Sequence, residues 1–191
     1  MKPIDKLFAY LDGDKSEKLD MSNSDLSDSD LGGEDLTNIN FSGANFSNCY
    51  LIATKFSNCD LSSANFEGAK LGASKLLNLQ IIKANFHAAD LMNADLSNSD
   101  LSNADFSEAS LIEANLFCSS LKNANLSKAV LWGTNCEKAD FSECNFKNAY
   151  FTDCNLRNLD FTSVNLKGSL FSGDSDLTGA KFTREQYESL F

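Results

Sequence analysis

Proline is nearly missing from this chain of 191 residues; Pro3 is the only one. A sequence otherwise rich in Asn, Ser, Asp and Gly would read as loops. Without proline almost every residue keeps a backbone N–H to donate, so regular hydrogen-bonded backbone is expected instead. Histidine is represented by His87 alone, and the six cysteines contain no C-x-x-C pair. A zinc site needs four converging Cys, or Cys with His, so no metal site is expected. Cys49, Cys59, Cys118, Cys136, Cys144 and Cys154 read as free thiols used as small apolar fillers. Phosphate loops of the G-x-x-x-x-G-K-[ST] or G-x-G-x-x-G kind are also missing, and no cofactor is expected. No apolar run approaches the roughly 18–20 residues of a membrane helix. The start, Met1-Lys2-Pro3-Ile4-Asp5-Lys6, lacks the apolar core of a secretory signal. A cytoplasmic protein without membrane contact is the expectation. Positive charge is scarce: 16 Lys+Arg stand against 27 Asp+Glu, a net charge of −11. That disfavours direct binding to nucleic-acid phosphates, which takes clustered Lys and Arg. It permits attraction to a basic protein surface.

What the chain does contain is a period of five. From Met21 to Phe171, every fifth residue is apolar, thirty-one positions without a phase break. Leu, Ile and Phe fill all of them except Met21 and Cys136. Two residues earlier sits a second set, mostly small, as at Ala44, Cys49, Thr54, Ala64, Ala94 and Ala104. The residue just before is usually Asp or Asn, and the two after are mostly Ser, Asn, Gly or Lys. A helix rejects this spacing: five residues advance about 500°, so the column would smear around every face. A long flat strand rejects it too, since its period is two. A short extended piece followed by a turn accepts it. The small residue and the Leu or Phe point inward, the Asp or Asn outward, and the next two residues turn a corner with suitable side chains.

The repeated run, as in Ala94-Asp95-Leu96-Ser97-Asn98 and Ala104-Asp105-Phe106-Ser107-Glu108, resembles the pentapeptide-repeat family. The resemblance covers about residues 19–182. It implies an all-β fold: a right-handed, four-sided (quadrilateral) parallel β-helix, a solenoid with twenty residues to a coil and short helical caps. About eight coils at roughly 4.8 Å each would make a rod nearly 40 Å long.

The ends fall outside the repeat. Segment 1–18 reads as an N-terminal capping helix: Ile4, Leu7, Phe8 and Leu11 have helical spacing, Pro3 suits a start and Gly13 an end. The repeat domain spans 19–182, with a one-residue phase slip near 172–176, where Phe171 is followed by Leu177. Segment 183–191 reads as a C-terminal capping helix opened by the capping box Thr183-Arg184-Glu185-Gln186. Tyr187, Leu190 and Phe191 are placed to close the last coil.

Stacking in steps of twenty sorts the outward residues into columns. One side gathers Tyr50, Ile52, Met92, Ile112, Val130, Trp132, Tyr150 and Leu170, an apolar and aromatic stripe that marks a candidate partner-binding face. Ala53 and Ala73 lie on the same side. A second column holds Asp20, Asp60, Asp100, Asp140 and Asp160, a candidate acidic array. An opposite column, Asn45, Asn65, Asn85, Asp105, Asn125, Asn145 and Asn165, reads as a structural amide ladder. His87 is outward and isolated, and a filled solenoid offers no concave pocket, so an enzyme is not expected.

Two functions from different classes follow. The first is a non-catalytic protein–protein interaction scaffold, binding another protein or a second copy as a homodimer through the apolar stripe. The alternative comes from the resemblance: some family members resemble B-form DNA in shape and charge. These bind DNA gyrase or topoisomerase IV, and some confer quinolone resistance. The best-known resistance members carry loops interrupting the repeats; none interrupts this chain between Met21 and Phe171.

Overall fold

The computed structural model describes residues 2–13 and 17–190. Within them the chain winds as a four-sided solenoid of twenty residues per coil. Most outward mid-side residues pair in parallel with the residue one coil on, from Asp25↔Asn45 to Asn145↔Asn165. Only a few of these contacts lengthen into strands. They are β1 (Leu19–Asp20), β2 (Ile39–Asn40), β3 (Val130–Trp132), β4 (Tyr150–Thr152) and β5 (Leu170–Ser172). β1 pairs with β2, and β3, β4 and β5 form one three-stranded parallel sheet.

Each corner solves the same steric problem. In the turn Leu26–Ser29, the Ser29 N–H donates to the Leu26 carbonyl at 3.3 Å. The third residue, Asp28, sits at φ 57°, and its equivalents around the rod, mostly Asn and Gly with some Ala, Lys, Glu, Ser, Asp and Cys, lie in the same left-handed region. A turn of this shape requires positive φ at that place, which Gly and Asn adopt most readily. The aspartate before each corner helps close it: Asp25 Oδ1 accepts the Ser27 N–H at 3.2 Å and its hydroxyl at 2.8 Å. Asn45 does the same for Ser47 at 3.1 Å. The fold therefore asks for a side-chain oxygen here, and Asp and Asn both supply it.

The central Leu and Phe residues fill the bore. Phe46, Phe66, Phe86 and Phe106 stack face to face with centroids 5.0, 4.9 and 4.7 Å apart, the rise of one coil. The small inward position carries a second role that spacing does not reveal. Thr54, Thr134, Ser99 and Ser169 each donate a hydroxyl to the carbonyl of a central residue twenty-three positions earlier, at 2.7–2.8 Å. Cys49, Cys59 and Cys144 donate their thiols in the same way at 2.9–3.0 Å, and Cys154 donates to the Leu131 carbonyl. Describing the cysteines as apolar fillers is thus incomplete, and it fails for Cys118, which is exposed at a corner with φ 57°.

The amide ladder forms, and it has a direction. Asn45 Nδ2 donates to Asp25 Oδ1 at 3.0 Å, Asn65 to Asn45 at 3.2 Å, and Asn85 to Asn65 at 2.9 Å. A new run then begins, Asn125 to Asp105, Asn145 to Asn125 and Asn165 to Asn145. Each amide donates toward the N-terminal end, so an aspartate, which only accepts, can head a run but not continue one. This column adjoins the aspartate column and does not oppose it, because successive sides follow each other in chain order. The side opposite Asp60 and Asp100 is the one bearing Tyr50, Val130 and Tyr150.

At the N-terminal end α1 (Pro3–Leu11) buries Leu7 against the first coil, with Ile4, Tyr10 and Leu11 partly buried. Phe8, expected on the buried face, is exposed. Lys6 Nζ donates to the Asp20 carbonyl at 2.8 Å. At the other end the register lengthens to twenty-one residues, Asn155↔Asp176 and Asp160↔Lys181. α2 (Arg184–Leu190) follows a capping box in which Gln186 N–H donates to Thr183 Oγ1 and Thr183 N–H to Gln186 Oε1. Gln186 Nε2 also donates to the Phe161 and Val164 carbonyls at 2.8 and 2.9 Å. Tyr187 is largely exposed and lines a recess beside α2 with Leu177, Ala180 and Phe182; Phe191 lies outside the described residues. No helix among the described residues is long and apolar enough to cross a membrane.

Candidate protein-interaction surface

The side chains expected to form one stripe divide into two parts. Mid-side, the column runs Tyr50, Lys70, Asp90, Ser110, Val130, Tyr150 in consecutive coils, so Lys70, Asp90 and Ser110 separate Tyr50 from the rest. Along the neighbouring corner Ile52, Met92, Ile112 and Trp132 succeed one another, with Gly72 between the first two. The two parts meet at β3, β4 and β5. There Val130, Tyr150 and Leu170 align in register with Trp132 beside them, across three adjacent coils. Trp132 is 53% exposed, Tyr150 47% and Leu170 57%.

This is the one side where pairing lengthens into a three-stranded sheet. Val, Tyr, Trp and Thr favour extended, half-buried backbone, whereas the Asn and Ser of other sides favour turns. The indole is fixed: Trp132 Nε1 donates to Asp153 Oδ2 at 3.0 Å, from one coil to the next. Val130, Trp132, Tyr150 and Thr152 line a shallow recess of about 480 Å³. The Trp132 N–H and the Thr152 hydroxyl are thus already partnered, and the face presents mainly apolar surface.

The acidic array is less uniform. Asp20, Asp60, Asp100, Asp140 and Asp160 all stand mid-side, and each of the five caps its own corner through Oδ1. Asp140 lies 3.2 Å from Lys122 and Asp160 3.9 Å from Lys181. The Ser22 N–H beside Asp20 and the Thr162 hydroxyl beside Asp160 hold those carboxyls below the usual carboxylate range. They are charged at neutral pH, and partly neutralised by neighbours.

Catalytic chemistry finds few members. Burial pushes the Cys49 and Cys154 thiols up to about 11, and Cys59 and Cys144 to about 12, so none supplies a thiolate at neutral pH. His87 is not isolated: its Nδ1 lies 2.9 Å from Ser107 Oγ, one coil on. Neither residue lines the recess on β3–β4 or those flanking α2. Among the described residues no group of three or more His, Cys, Asp or Glu is arranged to hold a metal ion.

A filled four-sided rod of this kind defines a solenoid repeat protein, whose chemistry resides on its outer sides. Comparison with known proteins narrows the class. A model described as pentapeptide repeats, in eight copies, matches residues 119–158 and 134–173, and one described as a pentapeptide repeat region matches 35–106. The chain belongs to the pentapeptide-repeat proteins. Among solved structures it is similar to full-length QnrB1, a plasmid-mediated fluoroquinolone resistance protein. The TM-score is 0.53 and the identity 22%, over 90% of this chain and 95% of that one. A trypsin-treated QnrB1 variant gives 26% identity at a TM-score of 0.49, covering 91% and 87%. HetL, involved in heterocyst differentiation regulation in the cyanobacterium Nostoc sp. strain PCC 7120, gives 22% identity at 0.40, covering 94% and 92%. No curated protein sequence matches the chain. At these identities the likeness carries the fold, a right-handed quadrilateral β-helix, the hand that parallel β connections adopt.

Proposed function

We propose that this chain is a non-catalytic protein-interaction scaffold, a stiff rod that holds its β3–β5 face against another protein surface. The carrying observation is the aligned Val130, Tyr150 and Leu170 with Trp132, on a rod whose other sides are mostly polar. Aromatic side chains fixed on a flat, rigid support lose little entropy on binding and are typical interface anchors. A filled bore and protonated buried thiols support the non-catalytic part. The test is capture from a lysate of the source organism by immobilised wild type and by a Trp132→Asp, Leu170→Asp variant. Wild type is expected to retain a protein that the variant loses, with both giving the same thermal melt. Identical capture profiles would remove this reading.

A second reading is favoured by the net charge and the aspartate side: a rod that occupies the DNA-binding surface of a type II topoisomerase. QnrB1, the similar structure, is a fluoroquinolone resistance protein. Charge density weighs against it. A net charge of −11 over about 40 Å is one charge per ~3.6 Å, about half the linear density of duplex DNA. A gyrase supercoiling assay with and without quinolone decides it; no effect at micromolar protein removes this reading.

A further inference from the structure

Resting on the scaffold reading, we infer that the occupant of the Trp132–Leu170 face is a second copy of this chain, the two rods parallel about a two-fold axis along their length. The argument is the charge on the two margins of the face. On the corner before the strands stand Lys147 and Lys167, both exposed. Neither takes part in the ion pairs found among the described residues, in contrast to Lys122, Lys128, Lys138, Lys181, Arg157 and Arg184. On the corner after the strands stand Asp153 and Asp174, also exposed. Asp153 is oriented there, accepting from Trp132 Nε1 and from the Asp174 N–H at 2.8 Å. One margin is thus basic and unpaired, the other acidic, with apolar side chains between.

Two face-to-face arrangements have two-fold symmetry, and charge separates them. With the axis along the rod, each copy's basic margin lies over its partner's acidic margin at the same height. Lys147 then meets the partner's Asp153, Lys167 meets the partner's Asp174, and the mid-side Val130 and Tyr150 each face their own counterpart. With the axis across the rod, the rods run antiparallel, and lysine meets lysine while aspartate meets aspartate. A self-complementary surface of this kind is what an isologous pair requires. Its size limits its strength. Three coils at about 4.8 Å make a face only about 14 Å long, far short of the ~800 Å² per partner of a standard stable interface. The pair is therefore weak and concentration-dependent.

Sedimentation equilibrium from about 10 μM to about 1 mM, the range suited to a small interface, tests this on the full chain. The mass should rise from 20.9 kDa toward twice that value. Lys147→Glu with Lys167→Glu should weaken association roughly ten-fold, as should Asp153→Lys with Asp174→Lys, and mixing the two variants should restore it. Antiparallel pairing would show itself differently, because mixing the glutamate variant with wild type would then strengthen association; that result overturns the inference. So does a monomer at every concentration. Loss of captured protein by the Trp132→Asp, Leu170→Asp variant would in that case leave the scaffold reading standing. Lys147 and Lys167 make no side-chain hydrogen bond or ion pair among the described residues, so the glutamate variant is expected to melt like wild type and carries the test; Asp153→Lys also removes the acceptor of the Trp132 indole and of the Asp174 N–H, and that variant is expected to melt somewhat lower.

Discussion

The first coil and the last two obey the same repeat and are finished in opposite ways. Asp20, Asp25, Asp30 and Asp35 place a carboxylate on every side of the first coil, and no Lys or Arg occurs between Lys18 and Lys55. That coil is closed by a nine-residue helix that buries Leu7. The last coils carry the apolar sheet, an extra residue, and a seven-residue helix with no buried side chain. Phe171 and Phe182, which stack on Phe151 and Phe161, are only partly buried. The corner needs only a side-chain oxygen, and the bore only an inward Leu or Phe. Charge at one end and exposed aromatics at the other are choices the fold leaves free, and function can act on them.

The sharpest way to probe this contrast is through the core. Phe86→Ala, within the four-ring stack, should cost about 3–5 kcal/mol. Phe171→Ala, half-exposed at the far end, should cost about half as much. Equal losses in denaturant unfolding would show that both ends are sealed alike. Gln186→Ala comes next. Uncapping the Phe161 and Val164 carbonyls should destabilise the last coils by about 1–3 kcal/mol. Hydrogen exchange should speed up over residues 161–172 and stay unchanged in the first coils; a uniform increase would mean the rod unfolds as one unit.

The amide ladder offers a smaller, directional effect. Asn45→Asp removes the donor to Asp25 and sets two carboxylates in adjacent coils, and should cost about 1–2 kcal/mol. Asp25→Asn keeps the accepting oxygen and should stay within ~0.5 kcal/mol. Similar melting temperatures for the two would refute the directional rule. Acid gives the mildest effect. The Ser27 hydroxyl and N–H beside Asp25, and the Thr178 hydroxyl and N–H beside Asp176, hold both carboxyls below their ordinary value. The unfolded chain then takes up protons first as pH falls. Stability should hold above about pH 5 and decline below about pH 4, at both ends. A decline beginning near neutrality would refute the assignment to these carboxyls.

Much of this was legible in advance because period five admits so few backbones. The inward positions and the extra residue after Phe171 follow from spacing, and the capping box at Thr183–Gln186 from its residue types; the twenty-residue coil was what the family resemblance implied. The site was legible only in outline. Lys70, Asp90 and Ser110 interrupt the stripe because mid-side and corner columns differ, a distinction that sorting by side alone blurs. The His87–Ser107 contact and the Trp132–Asp153 bond join residues 20 and 21 positions apart. Both depend on how a side chain leans toward the next coil.

From the order of its residues alone this protein was committed to a chain that bends every five residues, since only such a bend buries one large side chain per side; the number of sides was what the family resemblance implied. Assembly in three dimensions decided the rest: which carbonyl each buried hydroxyl and thiol reaches, which way the amide ladder points, and where apolar surface becomes continuous. Those outcomes depend on contact between neighbouring coils, and a local pattern carries no information about the angle at which side chains twenty residues apart meet.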